Sequence, residues 1–210
     1  DDIRKLLDKT DSLGIPLARL PRNSEFKIGI QDKRDIQPIA IEDLLGRSQN
    51  VLDRASMNAL VKGKRILVTG AGGTIGGELT RQIASYEPAE ITLLERSEFN
   101  LYQIEREIRD KFPEVKLHAI LADVGSKSHI NKLFDIYRPE IVFHAAAIKH
   151  VPLAEQNTEE TVLTNVFGTR YIAEACKQYK TSIMVMISTD KAVNPTNVMG
   201  AAKRLAECFC

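Results

Sequence analysis

From Lys64 onward the apolar residues of the chain fall into two alternating patterns. Short unbroken apolar runs read as strands: RILVTG (Arg65 to Gly70), a buried one, EITLLE (Glu90 to Glu95), VKLHAILAD (Val115 to Asp123), EIVFHAAA (Glu140 to Ala147) and SIMVMIST (Ser182 to Thr189). Between them apolar positions recur every three or four residues. Ile75, Leu79 and Ile83 form such a stripe in TIGGELTRQIASY, and Leu101, Ile104 and Ile108 form one in LYQIEREIRDKF. SHINKLFDIY is a third helix, with Ser126 or Ser128 placed to cap it, and a long helix is expected from about Glu159 to Tyr179. Strand and helix alternating at this rhythm predict βαβ units, and so an α/β fold with a doubly wound parallel sheet.

The leading residues follow a different pattern. DDIRKLLDKTDSLGIPLARLP predicts a helix, a glycine stop and a short strand, whereas SEFKIGIQDKRDIQP has no clear period. IEDLLGRSQNVLDRASMNALVKGK reads as a short docking segment and a helix leading into the sheet. A boundary is expected near residues 40 to 50.

Composition narrows the class of function. Of the 210 residues, 43% are hydrophobic and 27% charged, as in ordinary globular proteins. With 29 basic against 28 acidic residues the chain has no net field to attract nucleic acid, and none is expected as a partner. No apolar run is long enough to span a bilayer, and no signal peptide precedes the first charged residues. The opening DDIRKLLDK lacks an initiator Met and starts within a helical pattern, which reads as an internal fragment. Cys208 and Cys210 form a lone C-x-C, Cys176 stands apart, and the four histidines show no ligand spacing. No metal is expected.

Between the first strand and the first helix stands VTGAGGTIGGEL, in which Gly70, Gly73 and Gly76 follow T-G-x-x-G-x-x-G. In that context Gly70 permits the tight turn, Gly73 admits a pyrophosphate against the backbone, and Gly76 lets helix and strand approach. The helix N-terminus offers free N–H groups to the phosphates. Glu95, ending the second strand, stands where a ribose hydroxyl would be accepted, and its charge would repel a 2′-phosphate. That favours NAD, while Arg96 next door offers a phosphate partner and keeps NADP open, so the dinucleotide is NAD or NADP. Asp123 and Val124, after the third strand, lie where an adenine would rest.

HAAAIKHVP, NVFGT, STDKAVNPTNVMGAAKR, IEDLLGR and GKRILVTGAGGTIG take the reading further. Together they resemble the extended short-chain dehydrogenase/reductase family. Within it the chain is most similar to the membrane-associated, CapD-like nucleotide-sugar 4,6-dehydratases of polysaccharide biosynthesis. The resemblance implies membrane helices and a second α/β domain ahead of this region, with residues 1–45 as the tail and linker of that domain. Residues 46–210 would be a truncated NAD(P)-binding domain lacking its substrate half and inactive alone. It implies a UDP-sugar substrate, a homo-oligomer, and an intact protein at the inner or plasma membrane with this region cytoplasmic. The cofactor set then extends to Gly72, Thr74, Ile75, Ala145, Ala146, Ala147 and Asn165.

Soluble relatives carry a Tyr four residues before the Lys that here is Lys203, and Met in its place is typical of the CapD-like proteins. This chain has Met199, which cannot carry a proton. The reaction implied by the resemblance moves hydride from sugar C4 to the nicotinamide, eliminates water across C5 and C6, and returns the hydride to C6. It needs an acid, a base and an orienting hydrogen bond at O4. By position in the family's triplet, Thr189 would orient O4, Asp190 would protonate the leaving hydroxyl, and Lys191 would be the C5 base. A lysine serves as a base only if burial or positive neighbours depress its pKa. Lys203 would hold the nicotinamide ribose, Ser188 would bond toward Thr189 or the nicotinamide, and Lys149 and His150 would border the cofactor. Two alternatives stand beside this reading: a nucleotide-sugar 4-epimerase on the same scaffold, and a non-catalytic dinucleotide sensor.

Overall fold

A computed structural model describes residues 53–210, together with the backbone of two short strands before them. The chain divides into two compact units, Asp1–Leu52 and Asp53–Cys210. In the first, β1 (Ala18–Arg19) pairs antiparallel with β2 (Gln37–Pro38). The predicted opening helix lies outside the described residues.

The second unit opens with α1 (Arg54–Val61), whose first turn is closed by the Asp53 carboxylate accepting from Ala55 and Ser56 N–H. Five parallel strands follow: β3 (Arg65–Thr69), β4 (Glu90–Glu95), β5 (Leu117–Leu121), β6 (Ile141–His144) and β7 (Ile183–Met186). Their order across the sheet is β5-β4-β3-β6-β7. The chain thus starts at the middle of the sheet, winds outward twice, returns across β3 and winds out the other way. At that reversal the loops after β3 and β6 diverge, and they open a crevice at the carboxyl end of the sheet.

Side-chain alternation explains the two layers of helices. Ile66 and Val68 on β3, Ile91 and Leu93 on β4 and Ile141 on β6 pack with Ile83 of α2 (Thr74–Ala84) and Leu101, Ile104 and Ile108 of α3 (Glu98–Lys111). Leu67, Leu94 and Val142 point the opposite way, onto Ile130, Leu133 and Phe134 of α4 (Lys127–Tyr137) and Ile172 and Ala175 of α7 (Thr169–Gln178). Strands covered on both faces have no polar side to spare, which is why they read as continuous apolar runs. Phe134 is fully buried, and its truncation to Ala would cost about 3–5 kcal/mol.

The structure departs from the sequence pattern at Ile75 and within the long helix. Ile75 is 53% exposed, and α2 instead turns Gly76, Gly77 and Thr80 to the sheet. Small residues there bring the helix close to β3, and Ile75 faces the crevice. The long helix runs from Thr158 to Gln178 as expected, but a π-helical turn (Leu163–Gly168) lies within it between α6 (Thr158–Val162) and α7, and a short α5 (Val151–Gln156) precedes it. After β7 a 3₁₀ turn (Asp190–Ala192) leads to α8 (Val198–Glu207).

Candidate active site

The crevice is a cleft of about 500 Å³ into which the loops after all five strands converge. Its floor is the glycine turn. Gly70 has φ +63°, and a Cβ there would stand 2.7 Å from the Ala146 backbone. A Cβ on Gly76 would strike the Gly70 carbonyl. Helix α2 has no side-chain cap, so the N–H groups of its first turn face the cleft with the positive end of the helix dipole behind them. Thr74 and Ile75 line the cleft beside them; Gly72 lies under Asn100 and gives its N–H to Glu95.

At the β4–β5 end, Glu95 is nearly buried. Its carboxylate accepts from the N–H groups of Gly72 (3.1 Å), Arg96 (3.0 Å) and Ser97 (3.0 Å), and so ties the glycine turn to the end of β4. Arg96 is committed to two acids: its Nη1 lies 2.9 Å from Glu160 and 3.5 Å from Asp123. Asp123 and Val124 line the cleft here.

The opposite wall is the segment after β6. Ala145, Ala146, Ala147, Ile148 and Lys149 line it, whereas His150 lies outside and begins α5. Asn165 is placed behind this wall, not in it. Its Oδ1 accepts from Ile148 N–H (2.8 Å) and its Nδ2 donates to Ile148 C=O (2.9 Å), so both ends of the amide are used as a brace. Its neighbour Thr164 does line the cleft. Among the described residues the Thr164 hydroxyl is the one buried side-chain polar group without a partner. A buried hydroxyl without a partner is rare, and this one lies in the wall of the cleft. Sequence reading missed it, because a Thr in a helical pattern carries no signal of its own.

Thr189, Lys191, Met199 and Lys203 meet at the β7 end of the cleft. Helix α8 is fixed there by two caps: Asn197 Oδ1 accepts from Gly200 N–H (2.8 Å) and Glu155 from Val198 N–H (2.7 Å). Met199 and Lys203, one turn apart, are thereby buried on the same face, and Lys203 Nζ donates to Ile187 C=O (2.9 Å). Burial pulls the Lys203 ammonium down to about 8. Ser188 does not bond to Thr189; its hydroxyl donates to Glu207 (2.6 Å). Asp190 stands apart from the cleft lining, with its side chain 88% exposed. The Thr189 hydroxyl (3.0 Å), then Lys191 (3.4 Å), hold its carboxyl below the usual range, so it is ionised in this arrangement. Lys191 is half-exposed and paired with that carboxylate, so the burial its role as a base calls for is not provided within the described residues. Those residues include no group of His, Cys, Asp and Glu suited to a metal, and no helix long and apolar enough to cross a membrane.

A parallel sheet with a glycine turn at its switch point, and a buried lysine across the cleft, define an α/β protein of the extended short-chain dehydrogenase/reductase type. The family described as "Polysaccharide biosynthesis protein" matches residues 66–210, and the chain belongs to it. It is 44% identical over 195 residues to the probable polysaccharide biosynthesis protein EpsC of Bacillus subtilis and 42% identical to the capsular polysaccharide biosynthesis protein CapD of Staphylococcus aureus. Each alignment covers 92% of this chain and 33% of the relative, so the chain spans about a third of their length. A UDP-N-acetylglucosamine 4,6-dehydratase (inverting) of Campylobacter jejuni is 34% identical over 69% of this chain and 42% of its own. Among solved structures, Pen from Bacillus thuringiensis superposes with a TM-score of 0.65 at 33% identity, over 71% of this chain and 46% of that one. WbmG of Bordetella bronchiseptica, solved in complex with NAD, shares the fold (TM-score 0.60, 21% identity, 70% of this chain and 49% of that one).

Proposed function

We propose that this chain is the dinucleotide-holding part of a nucleotide-sugar 4,6-dehydratase, acting in the intact protein on a UDP-N-acetylhexosamine for a surface polysaccharide. The observation that carries the reading is one cleft joining the uncapped α2 N-terminus to the Thr189–Lys191 turn, with Met199 in place of an ionisable group between them. The residues fit a nicotinamide dinucleotide. Gly70 and Gly76 form a cradle that a Cβ would fill, and the Thr164 hydroxyl is an unused polar contact on the wall. Bound there, the nicotinamide supplies a hydride acceptor that is also a hydride donor.

The chain's own residues orient and move protons. Lys203 presents a buried ammonium at the β7 end, Thr189 offers a hydroxyl for a sugar oxygen, and Asp190 and Lys191 are the proton-transfer pair. In this chain Asp190 is ionised and exposed, and Lys191 stands half-exposed beside it. Substrate and the remainder of the protein supply the desolvation that makes Lys191 a base and Asp190 an acid. Met199 fills space beside the reacting groups. At the other end Glu95, Asp123 and Glu160 place three carboxylates around the single Arg96, which disfavours a 2′-phosphate and supports NAD over NADP.

The test is product analysis of the intact protein with UDP-N-acetylglucosamine and NAD. Dehydration gives a product lighter by one water, and epimerisation one of unchanged mass. Unchanged mass, or no turnover with retained dinucleotide binding, would overturn the dehydratase reading.

A further inference from the structure

The end of β6 holds a titratable group that the chemistry above does not use. His144 is fully buried. Its Nδ1 lies 2.7 Å from the Thr69 hydroxyl at the end of β3, and its Nε2 lies 2.9 Å from the Thr169 hydroxyl at the start of α7. The two threonines fix where its proton sits. Thr169 donates its only hydroxyl proton to the Asn165 carbonyl (2.7 Å), so toward His144 it can only accept. Nε2 therefore carries the hydrogen. Thr69 accepts from the Ala146 N–H (3.3 Å) and gives its own proton to the bare Nδ1. With the other tautomer, or with an imidazolium, the Thr69 proton would have no acceptor among these partners.

Both arms end on the cleft wall. One reaches Ala146, whose backbone lies against the Gly70 turn; the other reaches Asn165, whose amide clasps both backbone groups of Ile148. Ala146 and Ile148 are two residues apart in the segment that lines the cleft beside the glycine turn. Among these partners none is charged, and Lys203 is the charge the imidazole feels.

We propose that His144 is a positioning residue. As a neutral Nε2–H imidazole it locks the Ala145–Ile148 wall against the glycine turn and so presets the cleft for the dinucleotide. The inference rests on the dinucleotide reading above, and the test separates the two. In the intact protein, NAD and NADH affinities are measured by titration calorimetry for the wild type, His144→Phe, His144→Gln and Thr169→Val, alongside thermal stability. Loss of the lock raises Kd about tenfold or more in His144→Phe and Thr169→Val, as a misplaced binding wall does. His144→Gln, whose amide reaches the Nε2 position and still donates to Thr169, recovers part of that loss. A purely structural histidine would lower the melting temperature and leave the Kd of the folded protein unchanged, and that result overturns the proposal. Should His144→Phe not fold, Thr169→Val removes the hydroxyl without changing shape. Nitrogen-edited NMR of the wild type reads the tautomer directly, and an Nδ1–H or protonated ring at neutral pH would also overturn it. A wild type that binds neither NAD nor NADH refutes the function proposed for the cleft, while the NMR result still decides the lock.

Discussion

Replacing the buried Lys203 by Met should stabilise the folded protein at neutral pH while weakening its hold on the dinucleotide. Only 5% of the residue is exposed, and burial brings its ammonium from 10.5 to about 8. At ~1.4 kcal/mol per unit, holding the charged form inside costs about 3 kcal/mol at pH 7. Met keeps the unbranched stem and removes the charge. Against this, the Ile187 carbonyl loses its donor, a loss of about 1–2 kcal/mol. The net expectation is a gain of about 1–2 kcal/mol at pH 7. The pH dependence is the sharper signature. Because the folded pKa lies below the unfolded one, the wild type gains stability as pH rises from about 8 to 10.5, and the variant does not. The advantage of Lys203→Met should shrink through that window and reverse above it. Urea midpoints of the ligand-free protein at pH 7 and pH 10, with dinucleotide titration beside them, measure both effects. A variant less stable than wild type at pH 7, or a difference that ignores pH, refutes the reasoning.

The remaining predictions concern the cleft and its support. Gly73→Val should fold, since a Cβ there meets only the Gly70 carbonyl at 3.3 Å, yet its side chain fills the phosphate position and should abolish co-purification of the dinucleotide. Gly76→Ala should instead open the turn and destabilise the fold, which a melting curve would report. His144, depressed from 6.5 to about 3 by burial first and Lys203 second, gives stability that is complete above pH 6.5 and falls by ~1.4 kcal/mol per unit below it. By pH 5 the loss is about 2 kcal/mol, and an unfolding series in which His144→Gln shows the same acid slope would contradict this. Met199→Leu in the intact protein should keep most activity, and Asp190→Asn and Lys191→Ala should each lower kcat about 10²–10⁴-fold. Met199→Tyr should not raise the rate, and a large gain would return proton transfer to that position.

Much of this architecture was legible because local pattern and tertiary role coincide. Leu101, Ile104 and Ile108 repeat at helical spacing and are buried; the glycines follow a strand and open a helix, and they form the floor of the cleft. Where the pattern failed, a partner distant in sequence decided the outcome. Ile75 fits the stripe of α2, but close packing of Gly76 and Gly77 turns it outward. Arg96 read as a free phosphate partner, and only the fold shows Glu160 beside it. The resemblance implies that Asn165 orders backbone near the site, and only the fold shows that Ile148 is the backbone it holds, by both ends of its amide. Thr164, His144 and Glu155 gave no signal at all, since an orphan hydroxyl, a buried imidazole and a carboxylate capping a later helix are properties of neighbours, not of spacing.

The π-helical turn at Leu163–Gly168 has a consequence for how this segment tolerates insertion and deletion. A turn wider than α-helical holds one residue more than the regular helix would, and such turns concentrate at functional positions. Remove one residue from it and the chain can relax to an unbroken helix whose later residues keep their present phase, whereas straightening it without a deletion would rotate everything after it by about 100°. Thr169 would leave His144, and Ile172, Ala175 and Cys176 would swing away from the sheet they now cover. The irregularity acts as a phase shifter: Thr164 and Asn165 face the cleft wall and α7 faces the core only because the helix slips by one position between them.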